Sequence, residues 1–282
     1  MHMERIDFIY RIIDKDGIWE KSALVSGLVS CLSPEEACNA LDVTTRLNRT
    51  LRGALLRKVV RDICAAGFLP CHRELIERMI SQYGSLPYQR KRGCSYCLGI
   101  VFEYLPDDLR HHVVTTFLTS NDIMTRQRAY KVLAGTWDTR YTNLLEESWE
   151  QHADPTCASL VVEYLPTAFL FKHFATLNEA LWRSKGYTKL FVRVGESHPE
   201  VLEHLRTQDE VTFTYVLACL GQRFSTEEAQ DMFERNKFND RVGVIIWSFG
   251  QMGLWSVLKD IGNRSSQLQE ENMQRLRGKY SI

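Results

Sequence analysis

The sequence predicts an all-α chain built as a solenoid of stacked helix pairs, and three observations carry that expectation. The tetrapeptide Glu-Tyr-Leu-Pro occurs at 103–106 and again at 163–166. Apolar runs of helical length lie between and beyond these copies, each closed by a glycine: Leu133-Ala134-Gly135, Val194-Gly195 after Leu190-Phe191-Val192, Leu220-Gly221 and Phe249-Gly250. Taken together with the two tetrapeptides, these closures mark a beat of about thirty residues that shortens a little toward the end, the length of a helix pair that cannot bury its apolar face alone and so must stack on a neighbour. A conformationally permissive residue at the end of each second helix suits the chain reversal required there.

Composition sets the outer bounds. The chain has 282 residues, 44% of them hydrophobic, with 35 basic and 35 acidic side chains. That is enough for one extended array or two compact domains with a sizeable core. The stretch Met1-His2-Met3-Glu4-Arg5-Ile6-Asp7 is charged where a secretory signal needs an apolar run, and no run reaches the roughly 18 apolar residues of a membrane span. A cytoplasmic protein without membrane attachment is therefore expected. Eight cysteines (Cys31, Cys38, Cys64, Cys71, Cys94, Cys97, Cys157, Cys219) are too few for a disulfide scaffold of this length, and most sit in apolar helical patterns. They read as reduced, mostly buried thiols.

Taken in order, residues 1–70 read as divergent N-terminal helical repeats or a cap. Ile6, Ile9, Tyr10 and Ile13 fall at helical spacing, and Trp19 to Leu32 carries a second apolar helix. Ser33-Pro34-Glu35-Glu36 is a helix start, with a serine cap, proline in the first turn and glutamate three residues after the cap. Thr45 to Phe68 is one long helix or a broken pair, stopped near Gly67 and Pro70. Residues 71–262 form the regular array. First helices are expected at 72–83, 106–118, 138–152, 167–177, 198–209 and 225–236. Second helices are expected at 90–104, 121–134, 155–165, 182–195, 210–220 and 240–250. Ser225-Thr226-Glu227-Glu228 is a capping box, and Asp154-Pro155 and His198-Pro199 put proline where its missing N–H does little harm. In 225–236 the apolar set Ala229, Met232 and Phe233 makes one stripe. By contrast, Val242, Val244, Ile245, Ile246, Trp247 and Phe249 surround the following helix, which places Trp247 in a buried layer. Residues 263–282 read as a capping helix and loose tail, anchored by Leu268, Met273 and Leu276.

With these windows in place the chain resembles the HEAT-type repeat family, with armadillo repeats as a near neighbour. The resemblance rests on helix-pair length and on second helices that run Asp, Arg, then small and apolar residues. Those stretches are Asp122-Ile123-Met124-Thr125-Arg126-Gln127-Arg128-Ala129 and Asp240-Arg241-Val242-Gly243-Val244. It implies a right-handed α-α superhelix of seven or eight helix pairs. It also implies that Asp122, Arg126, Asp240 and Arg241 are structural ladder residues joining neighbouring repeats. Pairs 138–165 and 210–220 lack the arginine.

Charge separates between the two sets of helices. The first helices are acidic in sum and the second helices basic, so a neutral chain carries two unlike layers. In the HEAT resemblance the second helices line the concave side, where partners bind. On a helical wheel Arg46, Arg49, Arg57 and Arg61 fall within about a third of the circumference. With Arg90, Lys91, Arg92, Arg128, Lys131, Lys185, Lys189 and Arg193 they are the candidate partner-binding residues. An acidic protein segment is the expected partner, with nucleic acid as the alternative. The bland account of each cation is a long stem laid over an apolar helix with its head in water. Aromatic residues interleaved with the cations would favour nucleic acid, and Tyr88, Tyr96, Tyr130 and Tyr187 are the candidates.

Catalytic motifs are absent: there is no Gly-rich phosphate loop, no Gly-x-Ser-x-Gly and no His-Glu-x-x-His. The missing His-Glu dipeptide argues against a HEAT-like di-iron hydroxylase. Cys94-Ser95-Tyr96-Cys97 has zinc-like spacing with His111-His112 downstream, but the cysteines sit inside an apparent helix, so no metal is expected. Lys185 to Arg193 with Pro199-Glu200-Val201 resembles a segment of HEAT-like alkylpurine DNA glycosylases. However, Trp137-Asp138 follows Arg126 and Arg128 rather than preceding them, and Thr188-Lys189 stands where that family has a base-stacking tryptophan. Trp137 and Asp138 therefore read as a loop aromatic and an N-cap aspartate. A non-enzymatic binding scaffold without cofactor or metal is the expected function.

Overall fold

A computed structural model describes residues 2–42, 47–182 and 184–280, with side chains for all of these except 2–4, 185 and 278–280. The described chain is all-helical, without a strand. None of its helices is long and apolar enough to cross a membrane. It divides into two compact units, Met1–Cys157 and Ala158–Ile282, a boundary that falls inside the array expected over 71–262.

In the first unit the helices are α1 (His2–Asp14), α2 (Lys21–Ser30), α3 (Pro34–Ala40), α4 (Arg49–Ala66), α5 (Pro70–Tyr83), α6 (Tyr88–Val101), α7 (Asp107–Leu118), α8 (Ile123–Gly135) and α9 (Thr142–His152). Short 3-10 turns at Phe102–Tyr104, Thr139–Tyr141 and Pro155–Cys157 link them. Local chemistry explains the starts. Ser33 and Glu36 close a capping box on α3, Asn48 caps α4 by accepting from Thr50 N–H, and Asp122 caps α8 by accepting from Thr125 N–H. Gly67 ends α4 at φ 81°, in the left-handed region that a side chain resists. The segment expected as one helix or a broken pair over 45–68 is thus a single helix from Arg49. Its buried face of Leu51, Ala54, Leu55, Leu56, Val59 and Ile63 recurs every three to four residues, each large aliphatic side chain contributing about 1.5–3 kcal/mol.

Contacts alternate. The helices α2, α4, α6 and α8 pack in succession as one row, while α3, α5, α7 and α9 form a second. Between the rows, α4 rests on α3, α6 on α5 and α8 on α7. The second unit holds α10 (Ala158–Tyr164), α11 (Thr167–Lys172), α12 (Phe174–Leu181), α13 (Lys185–Gly195), α14 (Glu200–Gln208), α15 (Glu210–Cys219), α16 (Thr226–Asn236), α17 (Val242–Gln251), α18 (Trp255–Asn263) and α19 (Ser265–Tyr280). Here α13 packs on α10 and α15, and α15 packs on α17.

The two Glu-Tyr-Leu-Pro copies occupy equivalent junctions. In each, the leucine is buried (Leu105, Leu165) and the proline is the N-cap of the following helix, α7 or α11. Ion pairs between segments about thirty residues apart add a ladder: Arg73 with Asp108, Arg140 with Asp107, Arg126 with Asp154, Lys189 with Glu163, Arg241 with Asp209 and Arg264 with Glu234. Arg126 and Arg241 thus have structural partners, and Asp122 serves as a cap. Asp240 is exposed. Asp138 accepts from Arg140 N–H as the N-cap of a 3-10 turn, as expected for that loop.

Four details differ from the sequence expectations. Trp247 is 47% exposed and stacks on Tyr215, with ring centroids 5.2 Å apart. The buried stripe of α17 is Ile245, Ser248 and Phe249, because Ser248 satisfies its hydroxyl on Val244 O and so tolerates burial at the core phase. The helix expected over 167–177 breaks at His173, whose backbone (φ −105°, ψ 17°) lies outside the helical region, and resumes as α12. The supposed loose tail continues as one helix, α19, with Met273 exposed and Lys237 tied to Glu271 at 2.9 Å. Among the repeating glycines, only Gly221 has positive φ. Gly195 is helical, and an added Cβ there would lie 2.7 Å from Leu202 Cδ2, so close packing demands it.

Candidate binding face

The cations expected on the second helices meet different fates. On α4, Arg49 and Arg57 are exposed, and Arg61 donates to Ser30 Oγ at 2.9 Å. Arg46 lies outside the described residues. Lys58, one position from Arg57, points inward and pairs with Asp62 at 2.5 Å, which removes it from the basic surface. In the second unit Lys189 pairs with Glu163, and Arg193 donates to the carbonyls of Val162 and Glu163. The side chain of Lys185 is outside the described part. Lys131 is exposed on α8.

The remaining cations gather on α4, α6 and α8. Pro87, in an extended conformation, starts α6. Along that helix Tyr88, Arg92, Tyr96 and Ile100 follow at every fourth position, so they form one stripe. All four are exposed, Tyr88 at 53% and Tyr96 at 42%. Arg92 lies over Tyr88, its Cζ 5.8 Å from the ring centroid. Arg52 reaches from α4 to Tyr96 at 5.9 Å, and Arg128 reaches the same ring from α8 at 5.4 Å. Arg52 can cross α6 because position 93 is glycine: an added Cβ would stand 3.0 Å from its Nη1. Lys91 lies 5.8 Å from the Tyr83 centroid.

Two guanidiniums, from the helices on either side of α6, therefore meet on Tyr96, and a third, Arg92 of α6 itself, lies one turn away over Tyr88. Among the described residues, Arg49, Arg52, Lys91, Arg92 and Arg128 have no ion pair. Burial and the positive charge of Arg92 push Arg128 below the usual arginine value, and its Nε is buried without a hydrogen-bond partner. Electrostatics at this face is uncompensated in the positive sense. Beside it lies a groove of 980 Å³ lined by Leu41, Asp42, Arg49, Arg52, Arg90 and Gly93. Helical spacing puts Met124 on the Arg128 side of α8 and Ile100 on the Tyr96 side of α6, and both are exposed. The surface is thus basic, aromatic and partly apolar. Of the four candidate tyrosines, Tyr130 and Tyr187 are core residues.

All eight cysteines are free; Cys38, Cys94, Cys97 and Cys157 are buried, whereas Cys31, Cys64 and Cys219 are exposed. Burial pushes the Cys97 thiol up to about 11 and the Cys157 thiol up to about 12. The expectation of mostly buried thiols holds for half of them, because Cys31 is the exposed C-cap just past α2 and Cys64 lies on the exposed side of α4. Cys94 and Cys97 gather no histidine: His111 is stacked on Tyr141 instead. The described residues do contain one sulfur and nitrogen cluster that sequence spacing does not announce, made of Cys38, Cys71 and His72. It depends on α3 packing against α5, a contact between residues 33 positions apart.

Compared with family models, with curated proteins and with solved structures, the chain matches none.

Proposed function

We propose that this chain is a non-enzymatic binding scaffold, and that the face formed by α4, α6 and α8 takes an acidic, partly apolar segment of another protein. The observation that carries this reading is the convergence of Arg52 and Arg128 on Tyr96, with Arg92 one turn away over Tyr88 and its charge felt at Arg128, and with no carboxylate paired to any of the three. Like charges gathered on one surface disfavour one another, and an anion relieves that cost. Exposed Ile100 and Met124 on the same helices offer apolar contact to a peptide. Locality also favours a short acidic segment, since Lys189 and Arg193 in the second unit are already engaged. The alternating helix contacts and the ion-pair ladder support a HEAT-like repeat organisation within each unit.

Nucleic acid is the second reading, and exposed Tyr88 and Tyr96 among arginines favour it, because bases stack on such rings. Fluorescence anisotropy with a labelled Glu/Leu-rich peptide and with single- and double-stranded oligonucleotides separates the two. The peptide is expected to bind at low salt. The triple change Arg52→Gln, Arg92→Gln, Arg128→Gln should weaken it about tenfold, from three partly exposed contacts of about 0.5 kcal/mol each. Lys189→Gln should leave it unchanged. Tighter oligonucleotide binding that falls steeply with salt would transfer the assignment to nucleic acid. Failure of both probes to bind would end both readings.

A further inference from the structure

Away from the basic face, α3 and α5 bring together two thiols and a buried imidazole. Cys38 Sγ, Cys71 Sγ and a ring nitrogen of His72 lie within 4.8 Å of one another. His72 is wholly buried because it caps its own helix: Leu69 N–H donates to Nδ1 at 3.0 Å. That bond fixes the tautomer. With Nδ1 accepting, the ring proton of the neutral imidazole resides on Nε2, and burial holds His72 below its ordinary pKa despite Asp62 and Glu35. Nε2 is buried and has no partner. A cation would need a nitrogen lone pair, which is available only by breaking the α5 cap, so the trio suits sulfur chemistry better than metal binding.

We propose that Cys38 and Cys71 are a redox-active thiol pair that closes to a disulfide between α3 and α5 when the protein meets a hydroperoxide. Cys71 is half-buried at the second residue of α5 and is the sulfur that an oxidant reaches first; Cys38 is fully buried behind it. The Cys71 thiolate attacks hydrogen peroxide, forming an S–O bond as the O–O bond breaks, and the departing hydroxide takes a proton to leave as water. Cys38 then attacks the sulfenic sulfur: the S–S bond forms, the S–O bond breaks, and hydroxide leaves as water with the Cys38 proton. Overall, two thiols and one peroxide give one disulfide and two waters. This inference is independent of the binding face.

The test uses the purified full chain treated with hydrogen peroxide and mapped by mass spectrometry without reduction. A linked peptide pair containing Cys38 and Cys71, lighter by two hydrogens and restored by dithiothreitol, is expected. Cys71 should react several-fold faster than exposed Cys31, Cys64 and Cys219. Cys38→Ser should stop the reaction at a dimedone-reactive Cys71 sulfenic acid, and Cys71→Ser should leave Cys38 reduced. Linkage of Cys94 to Cys97 instead, or Cys71 reacting no faster than the exposed thiols, would overturn the proposal. So would stoichiometric zinc that is released when the thiols are alkylated, since the trio would then be a metal site.

Discussion

Asp154→Ala is expected to lower the unfolding free energy by about 3–5 kcal/mol, because it leaves the guanidinium of Arg126 buried without its counter-charge. Arg126 Nε donates to Asp154 Oδ2 at 2.6 Å and Nη2 donates to Oδ1 at 3.0 Å, while Tyr130 OH donates to the same carboxylate at 2.7 Å. Both charged side chains are about 5% exposed, so water does not replace the lost partner. Burial acts to raise the Asp154 pKa, but the hydrogen bonds from Arg126 and Tyr130 outweigh it and hold the carboxyl below its usual range. The folded state therefore binds this proton less readily than the unfolded chain does. The stabilisation is present above the unfolded value of about 3.9 and is lost as pH falls through the lower folded value. Chemical denaturation should show the gap between parent and variant intact at pH 7 and narrowing only below about pH 4. Replacing both partners, as in Asp154→Leu with Arg126→Met, should recover much of the loss. An unchanged midpoint for Asp154→Ala would remove this pair from the account of the first unit.

Trp149→Ala should have a loss of similar size, about 3–5 kcal/mol, through a cavity rather than a charge. Trp149 on α9 is 1% exposed and among the largest fully buried side chains. Trp247→Ala removes the same side chain type and should cost only about 1 kcal/mol, chiefly the stack on Tyr215. Thermal melts of the two variants test the helical phase directly. A larger loss at Trp247 than at Trp149 would contradict the structure.

That contrast shows where the sequence was legible. Helix positions could be read because caps and stops are local chemistry: Ser33 with Glu36, Ser225 with Glu228, Gly67, and the prolines of the repeated tetrapeptide all mark real ends. Burial in α17 was harder to read, since a helix apolar all round does not reveal which side faces the core, and a serine that satisfies itself on Val244 O looks polar in sequence. Charge segregation pointed to the second helices as a set, and it counted Lys189 and Arg193 as equals of Arg92 and Arg128. Only tertiary packing supplies Glu163 to Lys189 and the carbonyls of Val162 and Glu163 to Arg193, and so distinguishes engaged cations from uncompensated ones. Arg52 itself stood outside the expected set, although Gly93 opposite it was a signal that something crosses α6 there. The Cys38, Cys71 and His72 cluster had no sequence signature, because its members meet through the packing of α3 on α5 rather than through spacing.

The most direct test of the binding face is zero-length carbodiimide coupling, which joins a carboxylate to an ammonium only where the two touch. With the Glu/Leu-rich peptide bound at low salt, peptide mapping should find the link on Lys91 of α6, next to Arg92 and exposed Tyr88. The link should disappear in the Arg52→Gln, Arg92→Gln, Arg128→Gln variant. Coupling confined to Lys189, Lys237 or Lys259 in the second unit, with Lys91 unmodified, would contradict the assignment of the acidic partner to α4, α6 and α8.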